Sequence, residues 1–266
     1  MSDYLSSVGI PQDATIKYLL VLVRVGTMFS IFPVFSAKQI PLQVKFALSA
    51  IMAFLIVGTL PHLVAPSNIA DLAIDIASQI FLGMAIGFVG MLLMAGIQFA
   101  GEIIDTQVGF AVTNIINPMT GTSVSVLGQF ELILATFIFL ITDSHHLIIE
   151  GMAGSFHLVP LPSINVAPQL MGDIMGVFVE GVNLVFKIAI PIAVTLLLTN
   201  IAMAFLARVA PQMNVFIVAY PAQLGIGMTM FLLTLPLLGF VLPEMFGNMP
   251  VTMDHMLRHM APKAAP

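Results

Sequence analysis

The chain has 266 residues, of which 59% are hydrophobic and only 8% charged, with a mean hydropathy of +1.07; a soluble globular domain carries about 25% charged residues. Its 8 Lys and Arg against 13 Asp and Glu give a net charge of -5, which excludes the concentrated positive footprint that nucleic-acid binding needs. The absence of cysteine excludes disulfides, thiolate metal sites and cysteine nucleophiles. These facts point to an all-α helix bundle of membrane type, and its 19 methionines call for a physical reason.

The start, Met1-Ser2-Asp3-Tyr4, has neither a basic region nor a small-residue cleavage site and does not read as a removable signal peptide. A bilayer core of about 30 Å takes about 20 apolar residues in a helix. Six hydrophobic segments meet or approach that length: 14–34, interrupted by Arg24, then 46–70, 76–101, a shorter one at 126–142, 188–207 and 209–243. Segments this long read as helices rather than as the strands of about ten residues that build membrane barrels.

Proline punctuates the connections, at Pro33 and Pro41, at Pro61 and Pro66, at Pro160, Pro162 and Pro168, and at Pro211. The connection 101–125 differs: uncharged after Asp105 and rich in Gly, Asn, Thr and Ser, it needs water or a protein cavity to satisfy its backbone. Lys38, Lys45 and Arg208 fall on one side of a six-span chain and Lys17, Arg258 and Lys263 on the other, so the positive-inside rule sets no orientation. The stretch 251–266, with Met253, Asp254, His255, Met256, Arg258, His259 and Met260, reads as a partly amphipathic helix or a frayed tail.

His145, His146 and Glu150 place possible metal ligands within two helical turns, but the HExxH spacing is missing, and a polar helix end at the membrane interface is the alternative. Neither a G-x-S-x-G elbow nor a phosphate-cradling glycine loop occurs. No catalytic residue, cofactor or metal is expected. Glu102 and Asp105 share one helical face, and Glu180, Asn183 and Lys187 form one stripe; either set marks a polar path or satisfies a neighbouring helix. Gly83, Gly87 and Gly90, then Gly96 and Ala100, and separately Gly172 and Gly176, have the spacing that lets helix backbones approach closely.

The run Gly101-Glu102-Ile103-Ile104-Asp105-Thr106-Gln107-Val108-Gly109-Phe110 resembles a signature of the FliR/SctT family, export-gate subunits of flagellar and injectisome type III secretion. Arg24, Asn117-Pro118, Asp143-Ser144-His145-His146, Ser155-Phe156, Pro191, Asn200, the run from Arg208 through Pro211, Gln212, Asn214 and Phe216, and Pro221 agree in order. Three exchanges depart from the pattern. Lys45 stands where arginine is usual, and Ser144 and Ala219 each stand where glycine is usual.

The resemblance implies a non-catalytic core subunit of the flagellar export gate, with a FliP-like part over 1–165, a FliQ-like helical hairpin over 166–250 and a tail over 251–266. It further implies one copy assembled with five FliP and four FliQ, wrapped by FlhB above FlhA, in the bacterial inner membrane at the flagellar basal body, with unfolded flagellar proteins as cargo. The loop 109–122, with Gly109, Phe110, Asn114, Asn117, Pro118, Met119 and Gly121, would plug the closed pore. Candidates for subunit contact or gating are Arg24, Glu102, Asp105, Glu180, Lys187, Arg208, Gln212, Asn214 and Phe216. Met84, Met91, Met94, Met203, Met213, Met228 and Met230 would fill irregular gaps, and some, with Met119, would form a deformable seal. The alternative function is a secondary transporter of a small solute, which needs a midplane site between broken helices and usually a structural repeat. An intramembrane enzyme comes third, for want of a catalytic constellation.

Overall fold

A computed structural model describes residues 12–37, 39–61, 66, 68–110, 125–162, 164–165 and 167–262. These residues form helices and no strand: α1 (Gln12–Ile31), α2 (Pro33–Ser36), α3 (Leu42–Val57), α4 (Ile69–Val108), α5 (Val126–Ile141), α6 (Ser144–Leu158), α7 (Leu170–Val209) and α8 (Val215–Arg258). The all-α, polytopic architecture is as expected. Four helices, α1, α4, α7 and α8, are long and apolar enough to cross a membrane, and α5 with α6 makes a fifth if the pair counts as one span.

The segment 46–70 becomes α3, only 16 residues long, because the chain leaves the helix at Gly58 and reaches Pro61. The segment 126–142 ends as α5, where Asp143 takes a left-handed φ of 55° before Ser144 opens α6; aspartate tolerates that conformation. The expected glycine exchange thus leaves Ser144 helical and puts the turn on its neighbour. Helix α7 runs through Pro191 without ending, as membrane helices do where neighbouring groups re-satisfy the backbone. Of the two readings of 251–266, helix or frayed tail, the helix holds as far as Arg258, where α8 ends.

Two compact units result. The first comprises Met1–Leu92, His145–Val177 and Gly247–Pro266, the second Leu93–Ser144 and Phe178–Phe246. Each draws on both the 1–165 and the 166–250 parts of the sequence.

In the first unit α1 closes on α4 along the predicted glycine strip. A Cβ on Gly83 would sit 2.5 Å from the carbonyl oxygen of Arg24, one on Gly87 3.0 Å from Ile31 Cβ, and one on Gly90 2.1 Å from the Phe32 ring. Glycine leaves room for the facing backbone at Gly83 and for the facing side chains at Gly87 and Gly90. Leu20, Val25, Met28, Phe29 and Phe32 of α1 and its end are buried there with Leu82, Ile86 and Val89. From α8, Met249, Met253 and Met256 are buried, and so is Met260 beyond it. The chain before α7 is tied to that end: Asn165 and Ala167 donate their N–H groups to the carbonyls of Met260 and His259, and His259 Nδ1 lies 2.5 Å from Asp173 Oδ2.

Arg24 sits at the centre of this unit, with no solvent exposure. Its Nε donates to Gln79 Oε1 at 2.8 Å, Nη1 to the Ser155 carbonyl and hydroxyl at 3.1 and 3.2 Å, and Nη2 to the Val159 carbonyl at 3.0 Å. The guanidinium also lies 4.1 Å from the centre of the Phe156 ring. Gln79 Nε2 in turn donates to the Pro162 carbonyl at 3.3 Å. One side chain of α1 therefore fastens the last turn of α6 and, through α4, the chain that follows it. Carbonyls at a helix C-terminus carry partial negative charge, which favours a cation there.

In the second unit the later glycines of α4 serve other partners. A Cβ on Gly96 would lie 3.0 Å from the Gly181 carbonyl of α7, and one on Gly101 would lie 2.4 Å from Gly128 Cα of α5. Edge-to-face rings join α5 and α8, Phe139 to Phe246 at 5.2 Å and Phe130 to Phe231 at 5.8 Å.

Two stability predictions follow from these contacts, each read by circular dichroism of the purified protein in mild detergent. Gly83→Ala meets backbone and costs about 1–3 kcal/mol, whereas Gly176→Ala meets nothing within 4 Å and stays within about 0.5 kcal/mol. Arg24→Met costs about 2–4 kcal/mol through the loss of several charge-assisted bonds, and Arg24→Lys restores little because an ammonium cannot fork to acceptors on two helices.

Candidate functional site

The second unit holds both ends of the connection between α4 and α5. Asp105 acts on each end: its backbone carbonyl accepts from the N–H groups of Gly109 and Phe110 at 3.1 Å, and its Oδ1 accepts from Leu127 N at 3.2 Å in the first turn of α5. Ser125 caps the same helix, its hydroxyl accepting from Gly128 N at 2.9 Å. Gly109 has a φ of +101°, a backbone conformation that side chains disfavour, so glycine in the 101–110 run answers to geometry. Gly109 and Phe110 of the expected plug are described; Asn114, Asn117, Pro118, Met119 and Gly121 lie outside the described residues.

The start of α8 lies against the end of α4. Gln223 Nε2 donates to the Gln107 carbonyl at 2.5 Å, Tyr220 Oη to the Gly109 carbonyl at 3.4 Å, and a Cβ on Gly227 would sit 2.7 Å from Val108 Cγ2. Nothing in the spacing of Tyr220, Gln223 and Gly227 set them apart in the sequence, because their partners, two backbone carbonyls and the Val108 side chain, lie more than a hundred positions away.

Glu102 is half-buried and accepts from Gln98 Nε2 at 3.1 Å. On α5, sequence reasoning passed over Glu131, which is 1% exposed and whose buried Oε2 has no hydrogen-bond partner among the described residues. A Cβ on Gly101 would come within 3.0 Å of that oxygen. The signal was available: Glu131 is the only ionisable residue in the apolar segment 126–142, and an acid in such a segment is a site candidate by default.

The remaining predicted residues lie apart from this group. Arg24 is buried in the first unit with its donors used internally. Along α7, Glu180 is half-buried and Asn183 and Lys187 are exposed. Arg208, Gln212 and Asn214 are exposed at the turn between α7 and α8, and the Phe216 side chain is outside the described residues. His145 and His146 stack on each other with ring centres 4.2 Å apart, and Glu150 is exposed.

The family profile described as "Bacterial export proteins, family 1" matches residues 15–249, from α1 to the last turns of α8. The chain belongs to this export family. It is 27% identical to the Flagellar biosynthetic protein FliR of Bacillus subtilis (strain 168) over 249 residues, which cover 90% of this chain and 94% of that protein. It is 34% identical over 221 residues to the FliR of Pectobacterium carotovorum subsp. carotovorum, covering 81% and 83%. With the FliR of Escherichia coli (strain K12) the identity is 28% over 236 residues, covering 87% and 88%. The FliR-family resemblance read from the 101–110 run thus extends over nearly the whole chain, and the export family supplies the context for the polar ends of α4 and α5.

Asp105 and Glu131 are expected to respond in opposite ways to losing their carboxyl. Asp105→Ala removes an acceptor from the first turn of α5 and costs about 1 kcal/mol, while Asp105→Asn keeps most of it. Glu131→Leu removes a buried oxygen that has no donor among the described residues, so stability is unchanged or higher. Melting of the detergent-purified protein measures all three, and a large loss for Glu131→Leu would contradict this account of the site.

Proposed function

We propose that this chain is a non-catalytic core subunit of the flagellar protein-export gate in the bacterial inner membrane. The observation that carries the reading is similarity to a FliR protein over 90% of this chain and 94% of that relative. The long apolar helices support placement in a membrane assembly. By resemblance the subunit assembles with FliP and FliQ, next to FlhB and FlhA, and passes unfolded flagellar proteins.

The helical hairpin supports a life among partners. Helices α7 and α8 have 40 and 44 residues, so they are about 60 and 66 Å long, twice a hydrocarbon core of about 30 Å. Yet they are sparsely covered by the rest of the chain: 22% and 17% of their most apolar windows are buried, against 56% for α4. Phe186, Ile190, Leu197, Leu198, Ile201 and Phe205 are all exposed on α7. Lipid alone cannot cover helices of that length, and neighbouring apolar helices can.

Within this reading the connection whose ends Asp105 fixes is the plug of the resting channel, and the exposed turn with Arg208, Gln212 and Asn214 faces a neighbouring subunit. Arg208 is free to donate to a carbonyl or carboxylate there. Co-expression with the neighbouring gate subunits and purification in mild detergent should give a particle of fixed stoichiometry; a monomer that accumulates a solute would support the transporter reading. Deleting 112–121 should leave the particle assembled and make it leak ions. Arg208→Ala should reduce assembly or export, and normal motility with an intact particle would count against that contact.

A further inference from the structure

The C-terminal end of α4 has a specific need. The last carbonyls of any helix have no intrahelical donor. The chain supplies part of the answer locally, since the Asp105 carbonyl receives two N–H groups from Gly109 and Phe110. The carbonyls of Gln107 and Gly109 are answered from another helix, by Gln223 Nε2 and Tyr220 Oη.

The contact is built rather than incidental, because three successive positions on one face of α8 take part. Residues 220, 223 and 227 are spaced by three and four, the spacing that places side chains on one helix face. The Tyr220 ring packs where a Cβ on Gly109 would fall, 3.2 Å from Cε2, so the left-handed glycine and the ring fit one another. Gly227 leaves room for Val108, whose Cγ2 would lie 2.7 Å from any Cβ there. From the other side Asp105 Oδ1 holds Leu127 N of α5. The last turn of α4 is therefore held by α5 and by α8 at once.

We propose that Tyr220 and Gln223 are positioning residues, a clamp from α8 that fixes the end of α4 and thereby keeps the resting channel ion-tight. This rests on the plug reading above, because the chain leaves α4 at this clamp to enter the connection assigned as the plug. The clamp acts through backbone carbonyls, so it holds the chain's point of departure whatever side chains follow. Loss of one ordinary hydrogen bond shifts a two-state balance by about fivefold.

The test uses the gate co-expressed with its neighbouring subunits, with three readouts: recovery of the intact particle, resting ion leak across the membrane, and amide hydrogen exchange at 105–110. Gln223→Leu is expected to assemble, to exchange faster at 105–110 and to raise the leak about fivefold. Gln223→Lys keeps an N–H donor of similar reach and should remain tight. Tyr220→Phe removes one oxygen and keeps the ring on Gly109, so it tests the clamp even if Gln223→Leu fails to assemble; it should raise exchange and leak more mildly. Unchanged exchange in intact particles carrying either variant overturns the clamp. Faster exchange with an unchanged leak, in a gate that does leak when 112–121 is deleted, overturns the role assigned to it. A gate that stays tight after that deletion overturns the plug reading instead, and hydrogen exchange still decides whether the clamp exists.

Discussion

Close approach of backbones along α4 is the constraint on which the rest of the structure depends. Successive glycines of this 40-residue helix receive different neighbours: α1 and its end at Gly83, Gly87 and Gly90 in the first unit, α7 at Gly96 and α5 at Gly101 in the second. In apolar surroundings the hydrophobic effect does little to choose between one helix face and another, so packing and hydrogen bonding must. A strip without side chains specifies where a partner lies, because only there can its backbone come near enough to gain dispersion contacts on both sides. The exposed pair Gly172 and Gly176 shows the limit of the rule, since the same spacing there meets nothing within 4 Å in this chain.

The few polar side chains inside the units serve helix ends. Arg24 reaches the end of α6, Asp105 and Ser125 the start of α5, and Gln223 and Tyr220 the end of α4. A helix leaves several donors and acceptors unpaired at each terminus, and in a protein with so little charge those termini are where polar side chains gain most. Not every buried polar side chain does so: Ser49 donates back to the Lys45 carbonyl within α3, and Glu131 Oε2 is buried beside α4 with no hydrogen-bond partner among the described residues.

Methionine finds its reason in packing for many of its positions. Met28, Met94, Met152, Met245, Met249, Met253, Met256 and Met260 are buried, and four of them cluster where α8 ends in the first unit, a place where unbranched, flexible side chains fill irregular space. Met84 and Met91, 39% and 38% exposed, line an apolar cavity of about 350 Å³ in that unit together with Met256 and Met260. The interior remains largely aliphatic, with the buried methionines concentrated where α8 ends.

Much was legible in the residues themselves. Apolar length gave the helices and the membrane class, proline marked the connections at Pro61 and at 160–168, and the 101–110 run with the Arg208 to Phe216 run placed the chain in its family. The α1–α4 glycine strip was legible as a close approach, though its partner was not. Span count was less so, because segment 46–70 is apolar beyond the point where Gly58 ends α3, and hydropathy records composition rather than where backbone bonding stops. Tertiary structure alone decided that Arg24 is an internal fastening, that Asp105 and Gln223 work on backbone groups of other helices, and that the stretch after Pro250 completes α8. The physical reason is the same for all three: a side chain's type shows what bond it can make, but a backbone partner has no residue identity, so only the fold shows which carbonyl or amide it meets.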